Sequence, residues 1–339
     1  MRIILVGFGV VGQSFLNLLK LRHDELASTY GIRPRIVAIV DKGGAAINER
    51  GLDMEKILEV KKETGTVSKV LDKGFPGLSA KEVIEKTEAE IVIEVTPTDI
   101  VSGEPGLTHI ETSMKSGKNV ITTNKGPLAL ALPALMDLAD YNGVYLRFSG
   151  TVGGGIPILD LGRKCLIGDR IISIRGILNG TTNYILTEMS EKNIDFNEAL
   201  RRAQELGYAE KDPSLDIDGF DTACKLVIMA NWIMGKKVTL KDVKIDGIRH
   251  VTLKELINAD KNGKTIKLIG SINKGLEVKP TEISKRDVLC VHGTLNAVTF
   301  TSEFVGEETI MGRGAGGMET ASAVLRDLID IKTNLSAKF

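Results

Sequence analysis

Over its first 150 residues the chain alternates short apolar runs with amphipathic stretches. Met1–Val6 (MRIILV) is a continuous apolar run, the pattern of a strand buried on both faces. Gln13–Leu26 then carries helical periodicity through Phe15, Leu16, Leu18 and Leu19. Arg35–Val40, Ile91–Val95, Asn119–Thr123 and Val144–Phe148 repeat the strand signal, and Thr108–Ser116 and Pro127–Tyr141 read as helices between them. The glycine- and charge-rich stretch Gly43–Gly77 reads as an insertion over the sheet edge, with one helical pattern near Met54–Lys62. Further on, Ile171–Leu178 predicts a strand, Tyr184–Ser190 a helix, and Thr222–Met234 a helix that is apolar nearly all round. Thr252–Ala259 predicts a short helix. Thr265–Ile272, Glu277–Ile283, Val288–His292 and Ala297–Phe304 predict strands of a second sheet, followed by an amphipathic helix at Met318–Ile331.

The length of 339 residues exceeds what one core usually holds, so at least two domains are expected. Hydrophobic residues at 42% and charged residues at 26% are ordinary for a globular protein. Lys plus Arg and Asp plus Glu balance at 44 each, which leaves no basic field for nucleic acid or a membrane surface. No apolar run reaches membrane-spanning length. Three widely spaced cysteines, Cys165, Cys224 and Cys290, read as reduced thiols. With a chain that opens on a strand, they give a cytoplasmic expectation.

Candidate chemistry begins at Gly7-Phe8-Gly9-Val10-Val11-Gly12, placed between a strand and a helix as the dinucleotide fingerprint requires. Gly7 permits the turn, Gly9 admits the pyrophosphate, and Gly12 lets the helix pack closely. Asp41, closing the next strand, would accept from the adenosine ribose and favour NAD. Lys42, with Lys61 and Lys62, would instead hold a 2′-phosphate, so NAD and NADP both stay open. Lys125 follows the fourth strand, where open α/β sheets place ligands. Ser149–Pro157 is a second glycine-rich turn, and Asn179–Asn183 (NGTTN) opens a helix, with Thr181 as a cap or a carboxylate contact. Lys225 is the sole charge in Thr222–Met234 and must find a partner or give up its proton. Asp221 lies four residues earlier, on the same face. Glu210, Asp212, Asp216 and Asp218 add an acidic loop. Two readings stand: an acidic helix start with an ordinary ion pair, or a polar pocket around one tuned lysine. The D-x-D-G at Asp216–Gly219 does not suit calcium, because the twelfth position is Lys225.

Seven stretches in order resemble the homoserine dehydrogenase family: residues 7–12, 92–97, 116–129, 150–158, 176–189, 203–226 and 312–328. The resemblance implies a Rossmann-type nucleotide-binding domain (1–149 plus about 312–339), an α+β substrate domain on an open mixed sheet (150–275), and a dimerisation segment (276–311). It implies NAD(P)-dependent interconversion of L-aspartate 4-semialdehyde and L-homoserine by a homodimer. Gly7–Gly12, Asp41, Lys42, Thr96, Pro97, Lys125 and Gly316 would meet the coenzyme. Lys225 and Lys125 would flank the reacting carbonyl, with Asp221 orienting Lys225. Glu210 and Asp216 would hold the substrate ammonium, and Gly180, Thr181 and Tyr208 the rest of the amino acid. The backbone carbonyls of Val152, Gly154 and Ile156 would bind Na+ or K+, weakly, because Ser149 stands where relatives often carry an acid. No C-terminal regulatory extension is expected. The rivals are a dehydrogenase for another short amino acid and a catalytically idle dinucleotide sensor.

Overall fold

The computed structural model describes residues 1–336. The chain divides into two compact units, Met1–Thr151 with the stretch from Gly316 onward, and Val152–Ala315. The first runs β1 (Arg2–Val6), α1 (Val10–Leu21), α2 (His23–Tyr30), β2 (Arg35–Asp41), β3 (Gly44–Ile47), α3 (Met54–Thr64), β4 (Gly74–Pro76), α4 (Ala80–Lys86), β5 (Ile91–Glu94), α5 (Gly106–Lys115), β6 (Asn119–Thr122), α6 (Lys125–Tyr141) and β7 (Leu146–Arg147). Its sheet has the order β4-β3-β2-β1-β5-β6-β7. The strands are parallel from β2 to β7, while β3 and β4 join antiparallel at the edge. The strand order reverses between β1 and β5, the switch point where doubly wound sheets open a crevice. The stretch expected to be an insertion over the edge therefore extends the sheet itself.

The second unit runs α7 (Ile158–Asp160), β8 (Ile171–Ile177), α8 (Gly180–Lys192), α9 (Phe196–Glu205), α10 (Ser214–Ile217), α11 (Phe220–Trp232), β9 (Val243–Ile245), α12 (Leu253–Lys261), β10 (Lys264–Ile272), β11 (Leu276–Ser284), β12 (Leu295–Ser302) and β13 (Glu307–Arg313). The sheet order is β13-β12-β8-β10-β11-β9, antiparallel except for β11–β9. Most of segment 276–311 thus belongs to the same sheet as β8. Helix α11 presses onto β10 at Gly270, where a Cβ would stand 2.9 Å from Thr222 Cγ2. That close approach buries Lys225 with its neighbours. Finally α13 (Gly317–Ser336) rejoins the first unit, adding Ala321, Val324, Leu325, Leu328 and Ile331 to the core beneath α1.

Three expectations are corrected. The helix predicted over Gln13–Leu26 is two helices, broken at the non-helical Arg22. Val288–His292 is a pair of turns, because Asp287 accepts from Leu289 N through its side chain and from Cys290 N through its carbonyl. The apolar signal there was burial without strand pairing: Leu289 and Val291 fill a cluster with Ile177 and Ile269. The cap of α8 is Asn179, not Thr181.

Candidate active site

In the first unit, the β1–α1 turn has the shape its glycines require. Gly7 has φ +98°, and a Cβ there would lie 2.7 Å from the Val95 carbonyl carbon. A Cβ at Gly12 would lie 2.4 Å from the Gly7 oxygen, so α1 can sit this close only without a side chain. At Gly9 a Cβ meets nothing within 4 Å. That open space lies at the N-terminus of the twelve-residue α1, a fit for the pyrophosphate of a dinucleotide.

The Asp41 carboxylate is less available than its position suggests. One oxygen accepts from Gly43 N at 2.9 Å and Thr66 Oγ1 at 2.7 Å. The other accepts from Lys61 Nζ at 2.7 Å and Val67 N at 2.9 Å. Burial works to raise its pKa, but Lys61, Thr66 and the two backbone donors outweigh burial and hold the carboxyl below its ordinary value. Lys61 also donates to Gly65 O, so of the cations considered for a 2′-phosphate it is the one already engaged; Lys42 is exposed.

Between β5 and β6 lies a buried group that sequence reading passed over. Glu94, fully buried, accepts from Thr96 N at 3.0 Å, from the Thr96 hydroxyl, and from Thr122 Oγ1 at 2.9 Å. His109 Nδ1 is 3.7 Å away. Asn124 Nδ2 reaches Pro97 O at 3.2 Å, and Asn124 Oδ1 caps α6 at Gly126 N, beside the half-buried Lys125. One carboxylate therefore ties Thr96–Pro97 to the turn carrying Lys125. The available signal was an acid inside the apolar run IVIEV. Ser149, expected to leave a missing acid, bonds to Asp327 by its hydroxyl at 2.6 Å and its N–H at 2.9 Å. The C-terminal helix thus supplies a carboxylate at that position.

In the second unit, Lys225 is 7% exposed. Its Nζ donates to Leu178 O and to Asp221 Oδ2, each at 2.6 Å. Two acceptors leave one N–H for a substrate oxygen. Asn179 joins this pair to the acidic loop: its Nδ2 donates to Asp216 Oδ1 at 2.7 Å and Asp221 Oδ2 at 2.9 Å, while its Oδ1 caps Thr182 N. Burial, and then the nearby Asp221 charge, raise the pKa of Asp216. Thr181 Oγ1 donates to Tyr208 O at 2.8 Å, and the Tyr208 ring packs tilted against Tyr184, with ring centroids 4.9 Å apart. Glu210 is exposed, so the carboxylate that Asn179 ties to the lysine pair is Asp216. A Cβ at Gly180 would meet Thr294 O at 2.8 Å. In the Ser149–Pro157 turn Gly153 and Gly154 are left-handed, and the Ile156 carbonyl accepts from Ile158 N at 2.8 Å. In the sequence Asn179 stood out only as the first residue of the NGTTN turn.

The family model for the homoserine dehydrogenase NAD-binding domain matches residues 7–149, and the model for homoserine dehydrogenase matches 157–329. The homoserine dehydrogenase of Methanocaldococcus jannaschii is 48% identical over 98% of both chains. The chain belongs to the homoserine dehydrogenase family. The NAD(+)-dependent homoserine dehydrogenase of Pseudomonas canavaninivorans is 36% identical, covering 99% of this chain and 97% of that one. Among solved structures, a hyperthermophilic archaeal homoserine dehydrogenase in complex with NADPH superposes with a TM-score of 0.86 at 29% identity, covering 98% of each chain. The homoserine dehydrogenase of Thiobacillus denitrificans gives 0.87 at 31% identity, over 99% of this chain and 74% of that one. As a homoserine dehydrogenase the protein is an NAD(P)-dependent oxidoreductase interconverting L-aspartate 4-semialdehyde and L-homoserine, a step towards threonine, methionine and isoleucine. Among the described residues no helix is long and apolar enough to cross a membrane.

Proposed function

We propose that Lys225 is the acid–base group of this homoserine dehydrogenase, with Asp221 orienting it and Asp216 receiving the substrate ammonium. The observation that carries this reading is the cluster around Asn179: two carboxylates and a single ammonium, tied together by one amide. With all three ionised, the cluster holds one negative charge in excess, which an amino-acid substrate neutralises. The remaining N–H of Lys225 is suited to an oxygen that becomes an alkoxide during reduction and an alcohol at the end. Glu210 would be a second, outer acid for the ammonium, and Gly180, Thr181 and Tyr208 would contact the rest of the amino acid.

Lys125, opening α6 beside the Asn124 cap, is proposed as the cation that polarises the carbonyl. NAD(P), when bound, gives or accepts the hydride. Gly7–Gly12, Thr96, Pro97 and Gly316 are proposed to receive it, and Lys42 to meet a 2′-phosphate. Asp41 would meet the ribose only by exchanging one of its present donors. A monovalent cation on the carbonyls of Val152, Gly154 and Ile156 shares the last of these with Ile158 N. Homodimer formation through segment 276–311 is supported by the exposed apolar side chains Phe304, Val305 and Met311 on the edge hairpin. A cytoplasmic location is supported by three cysteines that form no disulfide.

The test is turnover of Lys225→Ala and Lys125→Ala with aspartate semialdehyde. Each is expected to lose roughly 10²–10⁴-fold in kcat, while the coenzyme Kd of Lys225→Ala stays within a factor of two or so of wild type. Full turnover in both variants would overturn the assignment.

A further inference from the structure

Lys267, on the strand β10, is only 1% exposed. Its Nζ donates to Asn183 Oδ1 at 2.8 Å and Thr187 Oγ1 at 3.0 Å, two neutral acceptors on α8. No carboxylate lies within ion-pair distance of it among the described residues, and its third N–H finds no acceptor there. Burial pushes this amine down to about 8, which is the expected response of an ammonium without a counter-ion. The side chain is not sealed in, however: it lines a cavity of about 240 Å³, below the usual size for a drug-like ligand.

The other charged walls of that cavity come already paired. Asp260 of α12 accepts from Lys285, and Glu191 of α8 lies 2.9 Å from His292 Nδ1. Cys290 lies beside them as a free thiol. None of these residues belongs to the Asn179 cluster. The rim therefore holds two acids, one lysine and one histidine, whereas the amine further in has no carboxylate within ion-pair distance among the described residues, Glu191 acting on it only from farther off. Carboxylates have lone pairs to spare beyond one donor, so Glu191 and Asp260 can take a further N–H without giving up their present partners.

We propose that this cavity is a second ligand site, taking a small zwitterionic amino acid with its carboxylate on Lys267 and its ammonium beside Glu191 and Asp260. The third N–H of Lys267 then gains a charge-assisted acceptor in a water-poor setting. Helix α8 bears both Lys267 acceptors and, at its start, Asn179, so the site borders the same helix as the catalytic cluster.

Titration calorimetry of the full-length protein at pH 7.5, with glycine and with acetate as probes, tests the proposal. Glycine is expected to bind more tightly than acetate, because only glycine uses the rim acids. Lys267→Gln keeps a donor for Asn183 and Thr187 but removes the charge, and should weaken glycine about tenfold or more, the worth of one hydrogen bond to a charged group. Glu191→Gln, on the surface and no threat to folding, should weaken it several-fold. At pH 8.5 a carboxylate settling on Lys267 draws a proton from solution, so binding heats measured in phosphate and in Tris should differ. The proposal is overturned if glycine gives no heat, if Lys267→Gln binds it as wild type does, or if the two buffers give equal heats.

Discussion

Asp216 shows how one residue ties stability to activity in opposite senses. Burial and the Asp221 charge raise its folded pKa above the ordinary 3.8. An acid raised in this way favours folding while it keeps its proton, below its unfolded pKa, and that contribution is lost as pH rises through the folded value. At neutral pH the ionised Asp216 is thus a liability to the fold that the substrate ammonium relieves. Asp216→Asn is expected to raise Tm at pH 7 and to lower kcat/KM for homoserine about 10–100-fold, the value of one charged hydrogen-bonded contact. In wild type the acid limb of kcat/KM should fall at a higher pH than a free aspartate would give, and the variant should lack that limb. A variant with unchanged kcat/KM would remove Asp216 from substrate binding. Lys225 could be singled out from the sequence because a lone charge in a mostly apolar run of thirteen residues needs a reason. Its acceptor Leu178 O could not, since a backbone carbonyl carries no signature. The Asn179 bridge joins residues far apart along the chain, and only folding brings them together.

At the scale of elements, the β1–α1 turn separates packing from binding. Gly9→Ala places its methyl in open space, so stability should change by less than about 0.5 kcal/mol, while NADPH affinity, followed by fluorescence, should drop about tenfold or more if the pyrophosphate uses that space. Gly12→Ala drives a methyl into the Gly7 carbonyl and should cost about 1–3 kcal/mol of stability, read by chemical denaturation. Equal effects from the two substitutions would argue against the division. The parallel strands of the first unit were legible because each is a short, mostly apolar run bounded by polar turns. The edge strand β13 (EETIMGR) was not, since an edge strand with exposed and half-exposed faces shows neither a buried run nor strict alternation. Helices α4 and α9 also escaped notice, although Ser79 forms a capping box and Asp195 caps the other. The seven-residue α4 is too short to show a period, whereas α9 carries one in Phe196, Ala199, Leu200 and Ala203, built partly on alanines and set among charged residues.

At the scale of the molecule, α13 belongs in space to a unit it leaves in sequence. Val324, Leu325, Leu328 and Ile331 are at most 1% exposed. Their burial is worth roughly 1.5–3 kcal/mol each, together comparable with the whole stability of a typical domain at about 5–15 kcal/mol. Ending the chain at Gly316 should therefore leave a protein that binds no NADPH and loses the thermal transition of the first unit. Retention of tight NADPH binding would show that the helix is dispensable.

This arrangement also sets an order of events during synthesis. The ribosome delivers the seven strands of the nucleotide sheet first, yet their last covering helix emerges only after the entire intervening 164-residue unit, Val152–Ala315, has been made. That unit, continuous in the chain, is free to fold while the earlier sheet still waits with the face beneath α1 uncovered. Coenzyme capture is then a late act of biogenesis, and the half of the enzyme that is translated first is the half that matures last.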